Sequence, residues 1–201
     1  MSPPSPPTRP NLRARWDARR ADLIATAARL FAERGYAATS ITELTEATGL
    51  AAGGIYHYIE GKEDLLIAIC DELLEPLIDQ AEEIVATDLP PADQLRGLLR
   101  AWVEHVASHQ NHMVVFTQER QTIERERRWR RVRSRRKAFE KILDEVLRRA
   151  RPAGAPGDDP QLTLLALLGM VNYTAVWLHP NGRLSPGQIA DGYYDLVLGA
   201  A

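Results

Sequence analysis

Residues 39–66 read TSITELTEATGLAAGGIYHYIEGKEDLL, and the punctuation of this stretch decides the fold. Ser40 with Glu43 forms S-x-x-E, in which each residue satisfies a backbone N–H of the other, so a helix starts at Ile41. Ile41, Leu44 and Thr45 then share one face. The helix ends at Thr48-Gly49, because glycine is the usual residue at a helix C-terminus. A second helix is expected between Leu50 and Tyr58. Glu60-Gly61-Lys62 breaks it, and Glu63 and Asp64 place negative charge at the start of the next helix, where its dipole favours them. Helix, short glycine-containing turn, helix is the unit that lays its second member in a DNA major groove.

Upstream, Asp22 to Arg34 carries Leu23, Ala27, Leu30 and Phe31 at helical spacing, and Gly35 stops it. This helix should form the small core that fixes the angle between the next two. Before it, Arg9, Arg13, Arg15, Arg19 and Arg20 are either an arm touching phosphates or a solvated basic end. The Pro/Ser-rich start, residues 1–13, is expected to be a disordered tail, with no apolar centre of a secretion signal.

Three spaced motifs now carry a resemblance. Gly35-Tyr36-x-x-Thr39, Gly53-x-Ile55-Tyr56-His57-Tyr58 and Lys62-Glu63-x-Leu65-Leu66 resemble the N-terminal domain of the TetR family of bacterial repressors, from about Arg19 to Leu74. The resemblance implies a DNA-binding helix-turn-helix domain over 14–62 and an effector-binding, dimerising domain over 63–201. It also implies a phosphate contact for Lys62. On the DNA side, Tyr56 and His57 are the candidates for the groove, and Ser40 and Thr42 for phosphate. Ala52, Gly53 and Gly54 allow close backbone approach. The chain departs from the family in having Ala51, Ala52 and Gly54 where a capping or polar residue is usual. Two successive glycines each cost about 1 kcal/mol of helix propensity, so shape readout and the basic arm gain importance.

Composition sets outer limits. The chain has 201 residues, 45% of them hydrophobic, and a net charge of −2. Residues 1–62 hold 8 Lys+Arg against 6 Asp+Glu, whereas residues 63–201 hold 17 against 21. That asymmetry suits nucleic acid at one end only. No stretch alternates strictly, so the fold is expected to be all-α with about nine helices. The later ones should span roughly 92–109, 113–121, 124–149, 161–178 and 186–198, with a loop over 151–160. Cys70 is the only cysteine, which excludes an intrachain disulfide and suits a reducing cytoplasm. Residues 162–178 carry no charge, and are read as a helix buried between others or at a subunit interface rather than a membrane span.

The C-terminal part offers candidates for effector binding: Trp102, His105, His109, Phe116, Arg120, Asn172, Tyr173 and Trp177. His105 and His109 have ligand spacing, but no third ligand is clearly placed, so no metal is expected. No G-x-S-x-G elbow and no phosphate loop is present, so neither an enzyme nor a cofactor is expected. The basic run from Arg125 to Lys137 is read as a solvated face, some of which lines a pocket mouth. Asn172-Tyr173, Trp177 and His179-Pro180-x-Gly182-x-Leu184-Ser185-Pro186 resemble a TetR branch that governs fatty-acid and steroid-ring catabolism and responds to acyl-CoA thioesters. The expected partners are therefore a palindromic double-stranded operator, a second copy paired through the last two helices, and a small apolar effector of the acyl-CoA kind. A helical ligand- or metal-binding protein without specific DNA binding is the alternative.

Overall fold

The computed structural model describes residues 6–51, 53–125, 127–151, 159–179 and 181–199, with the side chains of Arg125 and Arg128 also left undescribed. Ala52, Pro180 and most of the expected 151–160 loop lie outside the described residues, as does the start of the expected tail. Among the described residues there are nine α-helices and no strand.

Helix α1 spans Pro10–Arg34, longer at its start than the periodicity of residues 22–34 suggests. Proline at its first position presets the helical φ, and the Arg13–Asp17 pair bridges one turn at 2.9 Å. Residues 10–13, expected in the tail, are therefore helical. Gly35, at φ 89°, ends α1 by donating its N–H to the Phe31 carbonyl. Helix α2, Ile41–Thr48, carries both halves of the Ser40–Glu43 capping box and ends on Gly49 in the left-handed conformation.

The expected recognition helix over residues 50–58 is instead a single 3₁₀ turn, Gly54–His57. Gly53 sits at φ 80°, a left-handed value that cannot continue a helix, and no side chain caps the turn. Helix α3, Lys62–Val85, follows with Pro76 in its interior. Leu23, Ile24, Ala27 and Phe31 of α1, Leu44 of α2, Ile55 and Ile59 around the turn, and Leu65, Leu66 and Ile69 of α3 are all buried together.

The larger half holds α4 (Pro91–Ser108), α5 (Gln110–Gln118), α6 (Arg120–Arg125), α7 (Arg130–Ala150), α8 (Pro160–Trp177) and α9 (Pro186–Leu198). The helix expected over 113–121 divides into α5 and α6. The start of the one expected at 124 is displaced to Arg130, after a 3₁₀ turn that buries Trp129 completely. Helix α4 packs on α9, α7 and α3, while α5 packs directly on α1. Arg100 grips Asp191 with Nε and Nη2 at 3.0 and 2.7 Å, tying α4 to α9. Helix α8 is not enclosed: Leu162, Leu165, Tyr173, Val176 and Trp177 are exposed along it, and Leu196 of α9 is 73% exposed.

Phe31 is fully buried and meets Tyr36 edge-to-face at 5.2 Å. Phe31→Ala should cost about 3–5 kcal/mol, the range for buried aromatic truncations, measured by urea unfolding. A loss below about 1 kcal/mol would contradict the packing of this core.

Candidate nucleic-acid interface and ligand cavity

The 3₁₀ turn presents Tyr56 and His57 outward, with Tyr56 44% exposed. Ile55 beneath them is fully buried and anchors the turn. Tyr58 is half-buried against Trp16, with ring centroids 5.8 Å apart. One tyrosine thus goes to the surface and the other to packing. Gly53 and Gly54 lie beside them, and Thr42 is exposed on the first turn of α2. The Ser40 hydroxyl is engaged inside its own capping box, donating to Glu43 Oε2 at 2.8 Å. Those hydrogen bonds, with Arg34 nearby, lower the Glu43 pKa below the usual carboxylate value.

Lys62 does not reach outward. Its ammonium donates to the carbonyls of Tyr36, Thr39 and Ala37 at 2.7, 2.9 and 3.4 Å and lies 4.4 Å from the centre of the Tyr36 ring. All three donors are engaged, so Lys62 clamps the α1–α2 connection to the start of α3. The phosphate contact expected for it is corrected to this supporting role.

Two supports were not legible in the sequence. Trp16 Nε1–H donates to the His57 carbonyl at 3.2 Å, and Arg19 donates to the Thr48 carbonyl at 3.1 Å. The helical extension 10–21 therefore holds both the recognition turn and the end of α2. A contact spanning 41 residues leaves no local spacing signal. The arginine-rich start is thus partly structural, although Arg9 and Arg15 remain exposed.

In the larger half a cavity of about 560 Å³ opens between α3, α4, α5, α7 and α8. Its walls include Leu73, Leu77, Val106, Met113, Phe139 and Leu168. Six of the eight expected effector residues line it: Trp102, His105, Phe116, Arg120, Asn172 and Tyr173. The other two do not. His109 stacks behind His105, centroids 4.2 Å apart, and Trp177 lies exposed on α8. Arg136, from the basic run of which part was expected at a pocket mouth, stands in the wall, and so does Glu140, which sequence reading missed. Arg136 Nη2 meets Glu124 at 2.7 Å, and its Nε stands 3.7 Å from Glu140, beyond hydrogen-bond reach. Arg120 lines the same cavity, and among the described residues no ion pair is formed by it. Elsewhere on α7, Arg131 and Arg135 are both tied to Glu75, at 2.5 and 2.7 Å, which fits a solvated, charge-paired face.

The histidines form a column rather than a metal cage. His105 Nε2–H donates to the Leu73 carbonyl at 2.8 Å, and His109 Nδ1–H to the His105 carbonyl at 3.0 Å. His112 Nε2 lies 3.2 Å from Glu72 Oε2. Among the described residues no three His, Cys, Asp or Glu side chains are grouped to share a metal. Burial first, then the neighbouring His109, lowers the His105 pKa from 6.5 to about 4. Cys70 is buried, and its thiol is pushed well above the usual range by that burial and by Asp71. No helix among the described residues is long and apolar enough to cross a membrane.

A helix-turn-helix unit with an exposed second element, joined by α3 to a helical half that holds a cavity, is the architecture of a DNA-binding transcriptional regulator. Comparison with known proteins names the family. Residues 88–201 match the tetracyclin repressor-like C-terminal domain, and residues 23–69 match the bacterial regulatory proteins of the tetR family. The chain belongs to the TetR family of transcriptional regulators. It is 28% identical over 185 residues to the HTH-type transcriptional repressor KstR2 of Mycobacterium tuberculosis, covering 91% of this chain and 92% of that protein. The structure of that ketosteroid regulator superposes with a TM-score of 0.82, covering 90% of this chain and 93% of the other. AibR in complex with isovaleryl coenzyme A and operator DNA superposes with a TM-score of 0.74 at 28% identity, over 90% of this chain and 98% of that one.

Two outcomes follow from the geometry. Trp16→Phe keeps the ring against Tyr58 and removes the N–H donor, so DNA affinity should fall roughly 2- to 10-fold, the worth of one hydrogen bond, in fluorescence anisotropy. Affinity equal to wild type would contradict the support assigned to Trp16. For His105, the unfolded chain takes up a proton near pH 6.5 while the folded chain resists until about 4. Its contribution is therefore present above about 6.5 and lost as pH falls through 4. The melting temperature should drop across that window, and less steeply in His105→Leu.

Proposed function

We propose that the protein is a cytoplasmic, homodimeric repressor that grips a palindromic operator with two recognition turns. It releases the operator when a small, largely apolar effector of the acyl coenzyme A class fills the cavity. The observation that carries this reading is the sharing of α3: Leu65, Leu66 and Ile69 pack in the DNA-binding core, and Leu73, Leu74 and Leu77 line the cavity. An occupant that touches α3 acts on the helix that carries the recognition turn.

The effector class rests on shape and charge. A mostly apolar space with few polar groups suits an acyl body. His105 is neutral near pH 7, Asn172 offers an uncharged amide, and Arg120 supplies a cation for an anionic end. AibR, a relative by fold and sequence, is known with isovaleryl coenzyme A and operator DNA.

Dimerisation rests on the apolar stripe of α8 and α9. Leu162, Tyr173 and Leu196 are 62%, 61% and 73% exposed, and exposed Gly169 between them permits close approach. A twofold pairing of such faces presents two recognition turns to successive major grooves, about 34 Å apart or a multiple of it. The shortness of the recognition turn favours a second reading, a helical ligand-binding protein without specific DNA binding. A steep fall of affinity with salt, together with sequence preference, separates the two.

Tyr56→Ala should abolish the operator mobility shift while sedimentation still reports the dimer. An unchanged shift would remove Tyr56 from the interface. Acyl coenzyme A thioesters of varied chain should raise the melting temperature, and free acids less, since a ligand held only by the folded state stabilises it. A flat response would remove this effector class.

A further inference from the structure

Pro76 lies inside α3 where that helix forms the cavity wall. Proline has no N–H to return to the Glu72 carbonyl, and its ring crowds that carbonyl, so this turn of α3 lacks one backbone hydrogen bond. Two side chains from the facing helices reach the same turn. His105 of α4 donates to the Leu73 carbonyl at 2.8 Å, and His112 of α5 reaches the Glu72 carboxylate at 3.2 Å.

His105 and Leu73 both line the cavity, so an occupant meets the donor and its acceptor's residue together. The ring has little freedom, since it is stacked on His109 at 4.2 Å and His109 is tied back to the His105 carbonyl. Displacing it by about 1 Å away from Leu73 would carry the contact beyond hydrogen-bond range.

We infer that His105 is the positioning residue through which the cavity controls α3, its bond to the Leu73 carbonyl bracing the helix at Pro76. The inference rests on the effector-responsive reading above and gives it a residue. From residue 76 to residue 62 the helix is a lever of roughly 21 Å, at 1.5 Å per residue. A small change of bend at Pro76 therefore moves the start of α3, Lys62 and the loop it clamps by several ångströms. Helix α5 backs this path, because it lines the cavity through Met113 and Phe116 and packs on α1.

The test compares two variants of the full-length protein with wild type. His105→Gln places an amide N–H where Nε2 stands, and His105→Leu fills the space without a donor. Amide exchange across residues 72–80, read by mass spectrometry on the free protein, should be faster by roughly 5-fold or more in the Leu variant and near wild type in the Gln variant. Affinity for a duplex that wild type selects from a randomised pool should fall on the order of 5-fold or more in the Leu variant and be retained in the Gln variant. Where the Leu variant does not fold, His105→Asn, whose amide stops short of Leu73, takes its place with the same expectation. Equal behaviour of the Gln and donor-free variants, impaired or not, would overturn the inference. A wild type that selects no duplex would count against the operator reading, while the exchange comparison would still decide the role of His105.

Discussion

One helix belongs to two cores, and the rest of the structure depends on that constraint. The first two turns of α3 are sealed among α1, α2 and the recognition turn by Leu65, Leu66 and Ile69. The next turns supply Leu73, Leu74 and Leu77 to the cavity and Ile78 and Ala81 to the larger core. Burial runs from Leu65 to Ala81, and Ile84 and Val85 at the end of the helix are half-buried. Lys62 fastens its start to the α1–α2 connection through three carbonyls, and Pro76 leaves its middle as the compliant turn. A rigid end, a soft middle and a walled cavity beside the softness are the parts of a mechanical relay.

The DNA side shows how a weak local element is made definite by its surroundings. Gly53 and Gly54 give the recognition turn little helical preference of its own, and nothing caps it. Its position comes from Ile55 below, Trp16 bonding the His57 carbonyl, and Tyr58 tilted against the same indole. The N-terminal arginines read differently in this light. Arg13 and Arg19 are paired with Asp17 and Asp22, and Arg20 lies 5.9 Å from the centre of the Trp16 ring. Much of the basic start thus builds the prop that holds the turn.

Strong local chemistry was legible in the sequence: the Ser40–Glu43 box, Gly35 and Gly49 as stops, the Phe31 core, and the span of α9. These signals act within one or two turns, so sequence order carries them. Six cavity residues were also within reach, because aromatic and polar side chains on apolar helices are unusual. What failed was non-local or strained. The left-handed Gly53 converted a helix into a 3₁₀ turn. Buried Trp129 divided the helices around 120–130. His109 and Trp177 share their neighbours' composition but stand behind or outside the cavity. Lys62 turned inward because the fold brings the Tyr36, Ala37 and Thr39 carbonyls near it, 23 to 26 residues back in the sequence.

In the proposed dimer, cavity occupancy changes the separation of the two recognition turns. Ala47 is exposed on α2, and buried Cys70 does not compete for a thiol label. Double electron–electron resonance on Ala47→Cys carrying nitroxides therefore measures that separation directly. The protein should give a defined intersubunit distance. Adding the acyl coenzyme A thioester that most raises its melting temperature should shift the distance. The absence of any intersubunit coupling, or an unchanged distance with the thioester bound, would contradict the account.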